Sequence, residues 1–178
     1  MLQKSNMRIM TPFFLNPNKN YYLKELAKNI GLAHTSVKQN LNKLVRLGLI
    51  LKSKEKRGKR IFPIYRADKE NEKFRKSKII HNLLSIFESN LIDYISDKLA
   101  PKSIVLFGSY SRGEDVEDSD IDFFIECKEE KLNLTKFEKK LDRKIQLHFN
   151  ENFDAYPKEL KNNIANGVIL SGFLEVYK

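Results

Sequence analysis

Residues 104–125 set two short apolar runs on either side of a Gly-Ser pair and a turn-rich acidic stretch, an order that few folds accommodate. Ile104 to Phe107 read as one strand, which ends in Gly108-Ser109. Asp120 and Asp122 head the second run, Phe123 to Ile125. A Gly-Ser turn between two strands can aim backbone N–H groups and a hydroxyl at phosphate. The two-residue period of a strand puts Asp120 and Asp122 on one face. Paired carboxylates repel unless a cation lies between them, and hard oxygen donors suit Mg²⁺. A phosphate cradle beside a divalent cation predicts chemistry on a nucleoside triphosphate.

This stretch resembles the nucleotidyltransferase superfamily, in particular its minimal, MNT-type members. The shared signature is Gly-Ser, then Arg-Gly, then Ser-Asp-x-Asp at the start of the next strand, carried here by Gly108, Ser109, Arg112, Gly113, Ser119, Asp120 and Asp122. The resemblance implies a catalytic pair, Asp120 and Asp122, that ligates Mg²⁺ or Mn²⁺. It also implies a nucleotide site made by Gly108, Ser109, Arg112 and Ser119. Gly108 and Ser109 would hold the β- and γ-phosphates, with Arg112 as a clamp.

Charge divides the chain. Residues 1–68 hold 15 Lys/Arg against 3 Asp/Glu, a net of +12, whereas residues 69–178 hold 18 against 20, a net of −2. Such asymmetry predicts two units, only the first of them built to meet a polyanion. Cys127 is the single cysteine, so no internal disulfide forms and a reducing compartment is expected. No apolar run approaches membrane-spanning length, and the first residues lack the apolar core of a signal peptide, so a cytoplasmic protein with no membrane partner is expected.

In the basic part, apolar positions over residues 7–15 predict a first helix, and Asn16-Pro17-Asn18 a turn. Leu23, Leu26, Ala27 and Ile30 form a second helical stripe, closed by Gly31. Val37, Leu41, Leu44 and Val45 form a third, closed by Gly48. Two short helices about a glycine-containing turn are a helix-turn-helix pattern. Leu49-Ile50-Leu51 and Ile61 to Tyr65 read as strands around a basic tip with Gly58 at the turn. Pro63 marks its strand as an edge.

Residues 1–68 thereby resemble a winged helix-turn-helix of the prokaryotic regulator kind. By that resemblance His34 to Leu47 is the recognition helix, although Ala33 stands where a Ser cap is usual. Removing its apolar stripe leaves Thr35, Ser36, Lys38, Gln39, Asn42, Lys43 and Arg46 outward, groups able to read base edges or hold phosphates. Lys56, Arg57, Lys59 and Arg60, with Lys52 and Lys54, would grip phosphates from the wing. Double-stranded DNA is the expected partner, and an acidic protein the alternative.

Residues 69–78 read as an exposed helical linker, with Phe74 its only large apolar side chain before Ile79. Ile80, Leu84, Phe87, Leu91 and Tyr94 then continue at alternating steps of four and three, widened by Ile92, Ile95 and Leu99. A stripe this wide predicts a core helix of the second domain, with a homodimer contact near its start. The expected architecture is a two-domain α/β chain: a winged helix-turn-helix over 1–68, the linker, and over 79–178 a small nucleotidyltransferase α/β domain with a mixed sheet.

The family resemblance also implies a third carboxylate on a later strand. After a helix over Leu134 to Leu141, the strand Lys144 to Phe149 puts Ile145, Leu147 and Phe149 on one face and Gln146 and His148 on the other. Gln146 falls at the third-carboxylate position. Its amide oxygen can ligate a metal but brings no negative charge and no basic function. Asp142 would need a register shift to substitute, and His148 could act as a base. Two readings therefore follow. One is an enzyme that moves a nucleotidyl group onto a protein or nucleic-acid hydroxyl, in one form an antitoxin that neutralises a toxin protein and represses its own operon. The other is a transcription regulator whose degenerate transferase domain senses nucleotide. A Gly-Val-Ile-Leu segment at 167–170 extends the resemblance toward the C-terminus.

Overall fold

The computed structural model describes residues 4–151, 153 and 156–176. The chain divides into two compact units, Met1–Lys78 and Ile79–Lys178.

In the first unit three helices, α1 (Lys4–Leu15), α2 (Leu23–Ile30) and α3 (His34–Arg46), surround one apolar core. Ile9, Phe13, Leu26, Val37, Leu41 and Leu44 are each fully buried in it. β1 (Tyr21–Tyr22), β2 (Ile50–Arg57) and β3 (Arg60–Ala67) form an antiparallel sheet in the order β1-β3-β2. α3 begins at His34, with Ala33 as an extended N-cap residue that donates no side-chain cap. The hairpin is longer than its apolar pattern predicts, because cross-strand pairing runs out to Arg57↔Arg60 through the charged residues. Gly58, at φ 58°, leads the two-residue turn, a conformation that costs other residues more.

Pro63 does not sit on an edge strand: β3 is central. The sheet tolerates it because β1 pairs only with Ile64 and Tyr65, so at position 63 the strand has no β1 partner to which an N–H would have to donate. The stretch expected as an exposed linker is also different. It enters helix α4 (Glu72–Ser89), and Phe74, 1% exposed, packs on Phe14 with ring centroids 5.3 Å apart.

In the second unit the expected single helix over 79–99 is two. Asn90 adopts φ 64° and separates α4 from α5 (Leu91–Leu99). The Ser89 hydroxyl accepts from the Leu91 amide at 3.1 Å at this break. The stripe expected to be core is split as well. Leu91, Ile92 and Ile95 are buried with Ile86, while Ile80, Leu84 and Phe87 face solvent. The inward face of α4 is set by Ile86 and the buried Asn82.

β4 (Ser103–Phe107), β5 (Ile121–Ile125), β6 (Ile145–Phe149) and β7 (Val168–Gly172) form a mixed sheet in the order β6-β5-β4-β7. β5 runs parallel to β6, and β4 antiparallel to both β5 and β7. One face of this sheet, with Ile104, Leu106, Phe123 and Ile145, packs in a core with α5 and with α7 (Thr135–Leu141). The other face offers Val105, Phe107 and Phe124 to a smaller core that includes Phe153 and, from α8 (Lys158–Ala165), Ile164. The short helix α6 (Gly108–Arg112) bridges β4 and the loop before β5.

Candidate active site

The site begins where β4 meets α6. Leu106 and Phe107 pair with Phe123 and Asp122 of β5. That register carries Asp122 alongside the β4–α6 junction. Gly108 has φ 74°, and a Cβ built on it would stand 2.6 Å from Asp122 Oδ2. Both the backbone angle and the space therefore demand glycine here: a side chain would fill the gap between the turn and the carboxylate. α6 is closed by Gly113 in the left-handed conformation. Within this turn the Ser111 hydroxyl donates to Gly108 O at 2.8 Å.

The rest of the signature is held by its own hydrogen bonds. Ser119 Oγ accepts from the Val116 amide at 2.9 Å, and the Ser119 amide donates to Val116 O at 3.1 Å, which fixes the turn that delivers Asp120. Arg112 is exposed, and its Nε donates to Glu114 Oε2 at 2.8 Å. An ion pair this open is worth little and can be exchanged for a phosphate. Ser109 is half-buried at the start of α6, directly after Gly108.

Parallel pairing of β5 with β6 sets Gln146 opposite Asp122 and His148 opposite Phe124. Gln146 Nε2 donates to Asp120 Oδ2 at 3.4 Å. His148 Nε2 lies 3.4 Å from Asp122 Oδ1 and its ring meets the Phe107 ring at 5.2 Å, edge on. Asp120, Asp122, Gln146 and His148 are thus brought together by two adjacent strands. Asp142 is not part of this group: it caps α7 at φ 53° and lines an open cleft of about 510 Å³ that Ser119, Asp120, Glu138 and Lys144 also border.

One supporting residue, Asn82, carries no signal in the sequence motif. Asn82 of α4 is 2% exposed and donates from one amide nitrogen to Tyr110 O at 2.9 Å and to Asp115 Oδ1 at 2.8 Å. It ties α6 to the loop that follows. Burial, reinforced by the Asp115 charge and opposed by Arg143, raises the Tyr110 hydroxyl well above the usual phenol value, so that hydroxyl stays neutral. A polar residue at 82 inside an apolar helical pattern was the only hint available.

Among the described residues no three His, Cys, Asp or Glu side chains are grouped as a ready-made metal cage. The donor set still suits Mg²⁺, which is commonly bound through one or two carboxylates completed by substrate phosphates. Asp120 and Asp122 would supply those oxygens, and the turn at Gly108 lies close against the Asp122 carboxylate.

On the first unit, Thr35, Lys38, Gln39, Asn42, Lys43 and Arg46 of α3 are exposed and Ser36 is half-buried. Lys56, Lys59 and Arg60 are exposed along the hairpin. Arg57 is engaged there: its guanidinium lies 4.5 Å over the Tyr22 ring, and its Nε donates to Glu55 Oε2 at 3.3 Å.

Comparison with known proteins agrees with the geometry of the second unit. Residues 88–170 match the family described as Nucleotidyltransferase domain. A nucleotidyltransferase domain therefore lies in the C-terminal unit. A relative from Methanocaldococcus jannaschii, "Putative protein adenylyltransferase MJ1379", is 57% identical over 35 residues, which are 20% of this chain and 35% of the relative. The chain spans about a third of the length of that relative. A solved structure, "Possible transcriptional regulator from Methanosarcina mazei Go1", aligns with 55% of this chain and 79% of its own at 17% identity and a TM-score of 0.38. Among the described residues no helix is long and apolar enough to cross a membrane.

Proposed function

We propose that the C-terminal unit transfers a nucleotidyl group from a nucleoside triphosphate to a hydroxyl, and that the N-terminal unit is a winged helix-turn-helix that binds duplex DNA. The observation that carries the first part is the approach of the Gly108 turn to Asp122 with Asp120 beside it. In this reading Gly108 and Ser109 receive the β- and γ-phosphates, Arg112 leaves Glu114 to clamp them, and the Ser119 turn holds Asp120 in place. Asp120 and Asp122 hold Mg²⁺ or Mn²⁺, which supplies charge neutralisation for the triphosphate and its leaving group. The acceptor oxygen bonds to the α-phosphorus, the bond from that phosphorus to the bridging oxygen breaks, and pyrophosphate departs. His148 lies beside Asp122 and would take the hydroxyl proton on a ring nitrogen that is not donating to that carboxylate, a role closed to Gln146. The relative's description favours a protein hydroxyl as acceptor and ATP as donor.

A second reading is favoured by Gln146: with an amide opposite Asp122, the site binds nucleotide and signals its presence without turnover. Both readings keep the chain near DNA, where it represses transcription, in one form as the antitoxin of a toxin protein encoded with it. For the first unit the support is the order α1-β1-α2-α3-β2-β3, the outward polar face of α3, and the basic hairpin.

Thermal unfolding tests the site itself. A ligand bound only by the folded state raises the melting temperature by mass action. Mg²⁺ with an NTP should raise it in the wild type, and Asp120→Asn with Asp122→Asn should remove the metal-dependent part. Equal shifts in both proteins would show that these acids hold no metal. Incubation with each labelled NTP, with and without cell extract, then separates transfer from sensing.

A further inference from the structure

Ile80, Leu84 and Phe87 stand at i, i+4 and i+7 on α4 and remain 56%, 49% and 50% exposed. Three large apolar side chains on one helical line, in a chain that is 31% charged, form a contact face that no other described residue covers. We propose that its occupant is a second copy of this chain, with α4 packed antiparallel against α4 about a two-fold axis near Leu84.

Three properties of the helix select that occupant. The stripe is self-complementary: about an axis at Leu84, Ile80 of one copy meets Phe87 of the other and Leu84 meets Leu84, as an isologous contact requires. The spacing is that of a helix–helix seam. The charges at the two ends are unlike: before the stripe Lys73 and Lys76 are exposed, Lys76 paired with Glu72 at 2.8 Å, and Glu88 is exposed after it. Antiparallel packing brings each cationic end to the partner's acidic end and opposes the two helix dipoles, whereas parallel packing would stack lysine on lysine. Nucleic acid is a poor occupant, because the stripe itself offers no hydrogen-bond donor. Three half-exposed side chains cover much less than the roughly 800 Å² per partner of a standard interface, so the dimer dissociates on dilution. This inference is independent of the nucleotidyltransferase reading.

Sedimentation velocity on the full chain across a wide concentration range tests it. The wild type should move from the mass of one 20.9 kDa chain toward twice that mass. The Leu84→Glu, Phe87→Glu double variant should stay monomeric with an unchanged circular dichroism spectrum, since both positions are exposed. In a Cys127→Ser background, Leu84→Cys should form a disulfide-linked dimer on oxidation and Lys76→Cys should not. A wild type that is monomeric throughout, or a dimer that survives both glutamates, would overturn the proposal. Efficient self-cross-linking through Lys76→Cys would overturn the antiparallel arrangement.

Discussion

At position 146 an amide occupies the strand position where the family resemblance implies a third acid. Its Nε2 donates to Asp120 and its backbone is in register with Asp122, so in the ligand-free protein Gln146 eases the repulsion between the two carboxylates. Gln146→Asp replaces that donor with a third negative charge on the same face. Like charges across strands cost up to about 1 kcal/mol, and each kcal/mol moves the melting point of a protein this size by about 2–4 °C. The variant should therefore melt a few degrees lower in EDTA and gain a larger increment than wild type from Mg²⁺ with NTP. Scanning fluorimetry under both conditions checks the pair of shifts, and an unchanged metal increment would show that position 146 is not a ligand position. How much of this was legible beforehand differs between residues. Gly108 was readable as a turn glycine and Gln146 as the odd member of its strand. The close approach of Gly108 to Asp122, where an added Cβ would stand 2.6 Å from Oδ2, was not, because it depends on the pairing of Phe107 with Asp122, and one sequence does not state its strand registers.

The elements show why α4 was the hardest part to read. Its hydrophobic period predicted one buried face, yet the helix buries Phe74, Asn82 and Ile86 and leaves Ile80, Leu84 and Phe87 in water. Periodicity reports that an apolar stripe exists but not which neighbour covers it. Asn90, a residue that tolerates the left-handed region, ended the helix inside a pattern that otherwise continued. The sheet strands were easier, since apolar runs bounded by Gly, Asp and Pro leave little choice. Asn82 carries the consequence for the site. Its replacement by Ala would remove the amide that donates to two buried acceptors, Tyr110 O and the Asp115 carboxylate. A buried acceptor that loses its donor costs about 1–3 kcal/mol, so Asn82→Ala should destabilise the chain by about that much in urea unfolding. It should also weaken nucleotide-dependent stabilisation, because α6 loses its tie to the helix behind it. A variant with full nucleotide response would show that α6 is positioned by the sheet alone.

For the whole molecule the dominant fact is the uneven charge, +12 over residues 1–68 against −2 over the rest. If the basic unit binds duplex DNA, affinity should fall steeply with salt, by about 0.9 in log–log slope for each phosphate neutralised. Arg57→Ala, Lys59→Ala and Arg60→Ala together should flatten that slope with little change in sequence preference. Arg57 is already held between Tyr22 and Glu55, so Lys59 and Arg60 should account for most of the change, and the total should stay below about 3. Anisotropy titrations at several salt concentrations, on the triple and on Arg57→Ala alone, measure both. A triple variant with the wild-type slope would remove the hairpin from the interface. The charge division was plain in the sequence because composition survives folding unchanged. The commitment of Arg57 to an aromatic neighbour was not, since Tyr22 lies 35 positions away in the chain.

The place of β2 at the rim of its sheet has a consequence unrelated to any ligand. One side of β2 pairs with β3, and among the described residues no strand pairs with the other, the kind of border onto which a foreign strand can add. Lys52, Lys54 and Lys56 stand exposed along that border, and their mutual repulsion across two such rims keeps neighbouring molecules from zipping together. Neutralising them would leave a long β-strand free to recruit its own kind, with turbidity and fibrous precipitate appearing first at high ionic strength, where the remaining charges are screened.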